Sequence, residues 1–261
     1  MDATASIFRR NNVNVSGSGE RAIVFAHGFG CDQTMWQPVA RNFEADFHVI
    51  LFDYVGHGLS DLSAYSSDRY SSLAGFAEDV VEIGRALQLT DAIFVGHSVS
   101  AMIGALATLQ APEMFSKLVM VGPSARYIDD DGYRGGFSRE QIDELLEFLA
   151  DNHLGWSAAM APAIMGNSDR PELGARLENS FCNTDPAIAR EFARVTFLSD
   201  NREDLPAVHT DADRLQLDRL ARAREVVCAS PVHALGRVCG RHLHNGAGER
   251  GDRREHGEAP W

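Results

Sequence analysis

Four short, nearly continuous apolar runs, each separated from the next by a stretch of helical period, constrain the fold of this chain more than any other feature. Residues 22–26 read Ala-Ile-Val-Phe-Ala, 48–52 His-Val-Ile-Leu-Phe, 92–95 Ala-Ile-Phe-Val and 118–121 Leu-Val-Met-Val. Runs of this length without polar alternation belong to strands buried on both faces. Between them, residues 35–43 place Met35, Trp36, Val39 and Phe43 at helical spacing, and 73–87 and 101–109 do the same. Strands alternating with helices predict an α/β fold, a doubly wound and mostly parallel sheet whose ligand site lies at the carboxyl ends of the strands. The 261 residues suffice for one such core with an inserted subdomain.

From residue 127 to about 198 the rhythm changes. Segment 141–149 is amphipathic, 154–165 is apolar almost all round, and 187–197 is again helical, with no strand between them. This predicts an all-helical lid, dividing the chain into a core at 1–124, a lid at 125–200 and a third region at 201–261. Phe29 with the lid aromatics Phe137, Trp156 and Phe192 is expected to line an apolar pocket, the alternative being that the lid aromatics simply form its core. Beyond Val208 arginine, glycine and histidine accumulate, and after Gly240 apolar residues almost vanish. Such a composition buries too little surface to offset its ordering entropy, which predicts a partly disordered tail.

The chemistry resides in Gly96-His97-Ser98-Val99-Ser100, which follows a buried strand and opens a helix. A serine at so sharp a strand-to-helix turn is presented as a nucleophile, and the turn demands small residues two positions to either side. Gly96 and Ser100 satisfy this, although glycine is usual in the fifth position. A second glycine-bearing turn, His27-Gly28-Phe29-Gly30, ends a different strand. The backbone N–H after the serine and one from this earlier turn form the oxyanion hole in such a site, which assigns Val99 and Phe29. The competing view of Ser98 is a plain helix N-cap. A serine nucleophile needs a histidine base oriented by a carboxylate, following it in the order serine, acid, histidine. His27 and His97 are therefore read as local structural histidines, and no residue is assigned as acid or base.

The net charge of −13 excludes a nucleic-acid or anionic-membrane partner, both of which need a basic footprint. No apolar run is long enough for a bilayer and no basic, then apolar, leader follows Met1, so a cytoplasmic address is expected. Cys31, Cys182, Cys228 and Cys239 lack C-x-x-C spacing and are expected as free thiols, with no metal and no cofactor.

The stretches RNNVNVSGSG at 10–19, FGCD at 29–32, ILFDYVG at 50–56, FVGHSV at 94–99 and MVGPS at 120–124 resemble one α/β-hydrolase family, as do FCNTDP at 181–186 and REDL at 202–205. It contains the bacterial stress regulator RsbQ and the plant karrikin and strigolactone receptors, and the resemblance is nearest to RsbQ. It implies the α/β-hydrolase fold, a four-helix lid over a small apolar cavity, and turnover or sensing of a small hydrophobic ester or lactone-like ligand. For RsbQ-like members it also implies partnership with a PAS-containing phosphatase.

The resemblance stops near Val208, where the family continues with a buried strand ending in the catalytic aspartate, a further strand and a histidine turn. None of these is legible. Codons for residues 210–224, read one nucleotide out of phase, can spell PTLIVCSSTDSLAP, with the aspartate codon straddling Arg219 and Leu220. This motivates the expectation of a frameshift, of lost final strands, and of residues 118–121 left as an exposed apolar edge. Asp218, His242 and His244 are the nearest stand-ins for acid and base. Three readings stay open: a carboxylic-ester hydrolase, a ligand-sensing regulatory protein with little turnover, and an inactive product lacking its acid and histidine.

Overall fold

The computed structural model describes residues 3–215, with backbone only for 211–215. Asp218, Cys228, Cys239, His242 and His244, and with them most of the expected disordered tail, lie outside the described residues.

The chain opens with α1 (Ala3–Arg10) and β1 (Asn14–Ser16), neither of which the apolar pattern announces. β1 is three exposed residues pairing antiparallel along the sheet edge, too short for any periodicity to register. The expected strands follow as β2 (Arg21–Ala26), β3 (Phe47–Leu51), β4 (Ala92–His97) and β5 (Phe115–Val121). They pair in parallel in the order β3-β2-β4-β5, so residues adjacent in space are not consecutive in sequence. Each is buried on both faces, as their unbroken apolar character requires.

On one face α3 (Leu73–Ala86) and α4 (Val99–Gln110) bury Phe76, Val80, Met102 and Ile103 against Val24, Ile50 and Phe94. On the other, Trp36 and Ala40 pack on Ile23, Phe25, Val49 and Val95. The helix expected at 35–43 is instead a 3-10 turn (Gln33–Trp36), one turn of α-helix, α2 (Gln37–Ala40), and a second 3-10 turn (Arg41–Phe43). Pro38 has no N–H to continue the ladder, and the Asn42 side chain donates to the Pro38 and Val39 carbonyls at 3.1 and 3.2 Å, competing with the backbone.

A sixth strand, β6 (Asp211–Leu215), pairs in parallel with β5, from Lys117 opposite Asp211 to Val121 opposite Leu215. This corrects the expectation that 118–121 would form an exposed edge. The free edge of β5 offers backbone donors and acceptors to any extended segment whatever its side chains, so Asp-Ala-Asp-Arg-Leu pairs there despite lacking an apolar signature.

Between β5 and β6 the chain forms α5 (Arg139–Asp151), α6 (His153–Met165), α7 (Pro171–Asn183) and α8 (Pro186–Leu198). Their boundaries are set locally. Ser138 and Gln141 form a reciprocal capping box on α5, Gly166 ends α6 at φ +63°, and Asp185 accepts from the N–H groups of Ala187 and Ile188 to start α8. The inner faces meet in a second core of Phe137, Leu145, Trp156, Met160 and Phe181. The segment enters and leaves through one neck, where Arg126 bridges Asp200 and the Asn201 N–H donates to the Ala125 carbonyl at 2.8 Å.

Candidate active site

The pairing of β2 with β4 sets Ala26 opposite Gly96, so the turns leaving the two strands, residues 27–30 and 97–99, emerge side by side at their carboxyl ends. A Cβ on Gly28 would lie 2.4 Å from His97 Nδ1 and 3.4 Å from Ser98 Cβ, so only glycine allows the turns to approach this closely. Ser98 adopts φ +56° and ψ −122°, a conformation L residues rarely hold, at the junction between β4 and α4. Its own N–H donates to the Val121 carbonyl at 2.8 Å, fixing the turn to β5. A Cβ at Gly96 would sit 2.4 Å from the Ser100 carbonyl oxygen, which accounts for the glycine two places before the serine.

Val99 is the first residue of α4, so its N–H has no acceptor within the helix and points out of the positive end of the helix dipole. Phe29 lies on the neighbouring turn, and its N–H has no acceptor among the described residues. The Gly28 carbonyl, in the same peptide as that N–H, meets His27 Nδ1 at 3.0 Å and accepts from the Cys31 N–H at 3.2 Å. Since His27 Nε2 accepts from the Tyr54 N–H at 3.2 Å, the proton of the neutral ring must sit on Nδ1. Burial lowers the pKa of His27 below its ordinary value, against the nearby Asp53 carboxylate.

Between these turns and the helical segment lies a cavity of about 30 Å3, lined by Phe29, Ser98, Tyr127, Trp156, Phe181 and Phe197 among others. Its described walls contain no Asp, Glu, Lys or Arg. His97, also in the wall, has no hydrogen-bond partner on either ring nitrogen among the described residues and is pushed by burial to about 4, so it is neutral at physiological pH. Ser98 Oγ has one hydrogen-bond partner among the described residues, the Tyr127 hydroxyl at 3.5 Å. Burial raises the pKa of Tyr127, leaving a neutral phenol that cannot act as a base near pH 7.

Of the residues expected around the pocket, Phe29 and Trp156 line it, their rings edge-on at 6.0 Å. Phe137 and Phe192 do not. Phe137 is fully buried in the core of the helical segment. Phe192 backs the wall, stacked on Phe29 at 5.6 Å and in contact with His57 at 4.7 Å and Phe76 at 4.8 Å. A buried aromatic on the inner face of a helix satisfies the same spacing whether it meets a cavity or another ring. Tyr127, Cys31 and Thr196 also line the cavity, and no periodic pattern in the sequence points any of them at it.

A doubly wound sheet, a strained serine turn at its carboxyl edge and a helical segment above it define a hydrolase-type scaffold. The sequence profile of the alpha/beta hydrolase family matches residues 23–250, and the chain belongs to that family. Karrikin insensitive 2 receptor CA of Petunia hybrida is 38% identical over 206 residues, 79% of this chain and 76% of that protein. Strigolactone esterase RMS3 of Pisum sativum is 36% identical over 209 residues, 80% of this chain and 78% of that one. Among solved structures, a hydrolase from Oleispira antarctica superposes with a TM-score of 0.80 at 40% identity, covering 93% of this chain and 86% of that one. No helix among the described residues is long and apolar enough to cross a membrane.

Proposed function

We propose that this chain is built as a serine-nucleophile hydrolase for a small, uncharged ester or lactone-like ligand. In this reading 1–124 is the hydrolase core, 125–200 the lid, and 201–261 a region that departs from the family. Ser98 Oγ attacks the ligand carbonyl, the Phe29 and Val99 N–H groups stabilise the oxyanion, the alcohol leaves, and water releases the acyl group from Ser98. The observation that carries the reading is the strained Ser98 turn lying beside the Phe29 turn at the wall of one cavity whose described lining holds no charged residue. The proton leaving Ser98 needs a base, and Tyr127 is unsuited to that role. No other described side chain is hydrogen-bonded to Ser98 Oγ, so acid and base would have to come from the chain beyond residue 210, and turnover by the chain as written is expected to be slow.

The test is mass spectrometry of the protein after incubation with p-nitrophenyl acetate. An acetyl group on Ser98, absent from Ser98→Ala, is the expected result. Acetylation elsewhere, or none in a folded sample, would overturn the assignment.

A second reading, an RsbQ-like cytoplasmic sensor that engages a PAS-containing phosphatase, is favoured by the lack of a base hydrogen-bonded to Ser98 Oγ among the described residues and by the similarity to proteins named as receptors. Purified PAS-containing phosphatase pulled down with ligand-loaded protein, and released by Ser98→Ala, would support it.

A further inference from the structure

The fifth residue of the elbow, Ser100, departs from the usual glycine, and its hydroxyl is fully committed. It is buried and donates to the carbonyl oxygen of His27, at the start of the turn that carries Phe29. A serine hydroxyl has one proton, so the 2.9 Å contact between Ser100 Oγ and Tyr54 Oη runs in one direction, the phenol donating. Burial raises the pKa of Tyr54, so the phenol keeps that proton over the whole working range of pH. Tyr54 also donates its backbone N–H to His27 Nε2, closing a ring of bonds: Tyr54 hydroxyl to Ser100, Ser100 to the His27 carbonyl, Tyr54 N–H to the His27 ring.

We propose that Ser100, on α4, and Tyr54, in the loop after β3, are positioning residues for the oxyanion turn, fixing the peptide planes that aim the Phe29 N–H at the carbonyl carried by Ser98. The proposal rests on the reading of Ser98 as nucleophile. The physical link is peptide planarity: a carbonyl held on one side of the plane fixes the N–H on the other. Ser100 holds the 27–28 peptide and the His27 ring holds the 28–29 peptide, whose N–H is that of Phe29. With glycine or alanine at position 100 the His27 carbonyl loses this donor, and Tyr54 is left with a buried hydroxyl lacking its acceptor. Among the described residues, the elbow and the oxyanion turn, parts of different strand units, are then no longer joined by a direct side-chain hydrogen bond.

The experiment compares wild type, Ser100→Ala and Tyr54→Phe in two assays: phosphonylation of Ser98 by a p-nitrophenyl alkylphosphonate, and amide hydrogen exchange over residues 27–31. A mis-aimed donor weakens only the step in which negative charge develops. The maximal labelling rate is therefore expected to fall about 10- to 100-fold, while the half-saturating concentration moves less than about twofold. Exchange should quicken at Cys31, whose N–H donates to the Gly28 carbonyl at 3.2 Å, and stay unchanged in β2 and the body of α4. Wild-type labelling rates and unchanged exchange in both variants would overturn the proposal. So would quickened exchange across all of α4 with labelling that merely follows the loss of stability. If wild type itself is not labelled at Ser98, the nucleophile reading falls, and the exchange pattern alone decides whether Ser100 and Tyr54 hold the turn.

Discussion

Lowering the pH from 7.5 to 5 is expected to remove about 4 kcal/mol of stability, through two histidines that are buried uncharged. His57 is fully enclosed against Phe192 and His27, and its ring nitrogens have no well-formed hydrogen bond among the described residues. Burial, then the neighbouring His27 ring, push it from the ordinary 6.5 to about 3, with only the backbone at Val55 pulling the other way. His97, beside Ser98, is pushed to about 4 for the same two reasons. Because both folded pKa values lie below 6.5, the unfolded chain binds more protons in the acid range. Stability is therefore complete above about pH 6.5 and declines as pH falls toward the folded pKa. At pH 5 each histidine forfeits about 2 kcal/mol, with a limiting slope near 1.4 kcal/mol per pH unit. Set against a typical stability of about 5 to 15 kcal/mol, the combined loss is large. Urea unfolding at about pH 7.5, 6.5, 5.5 and 5.0 reads it directly, and His57→Gln and His97→Asn should each lower the slope by about half. Taking the difference between wild type and variant cancels all other titrating groups. An identical pH profile in wild type and both variants would refute the argument, since the rings would then be as readily protonated folded as unfolded.

Gly28→Ala should abolish Ser98 acylation, because the new methyl would lie 2.4 Å from His97 Nδ1 and force the two turns apart; acetylation by p-nitrophenyl acetate checks it. Trp156→Ala should destabilise the protein by about 3 to 5 kcal/mol and shift acylation toward longer acyl chains, as the side chain is almost wholly buried in the cavity wall. Asp53→Asn should cost about 1.5 to 3 kcal/mol in urea unfolding: its buried carboxylate accepts from the Gln33 and Leu59 N–H groups and the Asn12 side chain, tying three loops together. A version with the family-like frame restored after residue 209 should turn over p-nitrophenyl acetate at least about a thousandfold faster than the chain as written. Equal rates would mean that the existing tail supplies a working acid and base.

The parts of the fold legible in the sequence are those whose side chains must all be apolar or all face one way. β2 to β5, α3 and α4 belong to that class, and so does the serine turn, whose small residues are imposed by sterics. β1 and β6 escape notice because an edge strand is held by backbone bonds that leave no mark on Asn14–Ser16 or Asp211–Leu215. In the site, Phe29 and Trp156 are visible as aromatics near a motif, whereas Phe137 and Phe192 share that signature and turn away from the cavity. Tyr127 follows β5 in irregular chain, and its approach to Ser98 depends on how the neck folds. The role of Ser100 is hidden for another reason: its partner Tyr54 is 46 residues earlier, and only the parallel alignment of β3, β2 and β4 brings the turns that follow them together, with the two hydroxyls 2.9 Å apart.

The single neck has a consequence for the history of such a protein. The chain departs from the core at Ala125 and returns at Asn201 through adjacent, hydrogen-bonded backbone. Everything between is topologically a cassette: exchanging it for another helical segment, or for a short hairpin, requires no rethreading of the sheet. Its interior is organised largely around its own residues, with Cys31 and Phe29 of the core reaching into it, and the Ser98 and Gly28 turns are fixed by strands on the other side of the neck. Under the proposed function, ligand preference and chemical step can therefore drift at separate rates, with recombination at two neighbouring backbone positions enough to give the same serine turn a new chamber.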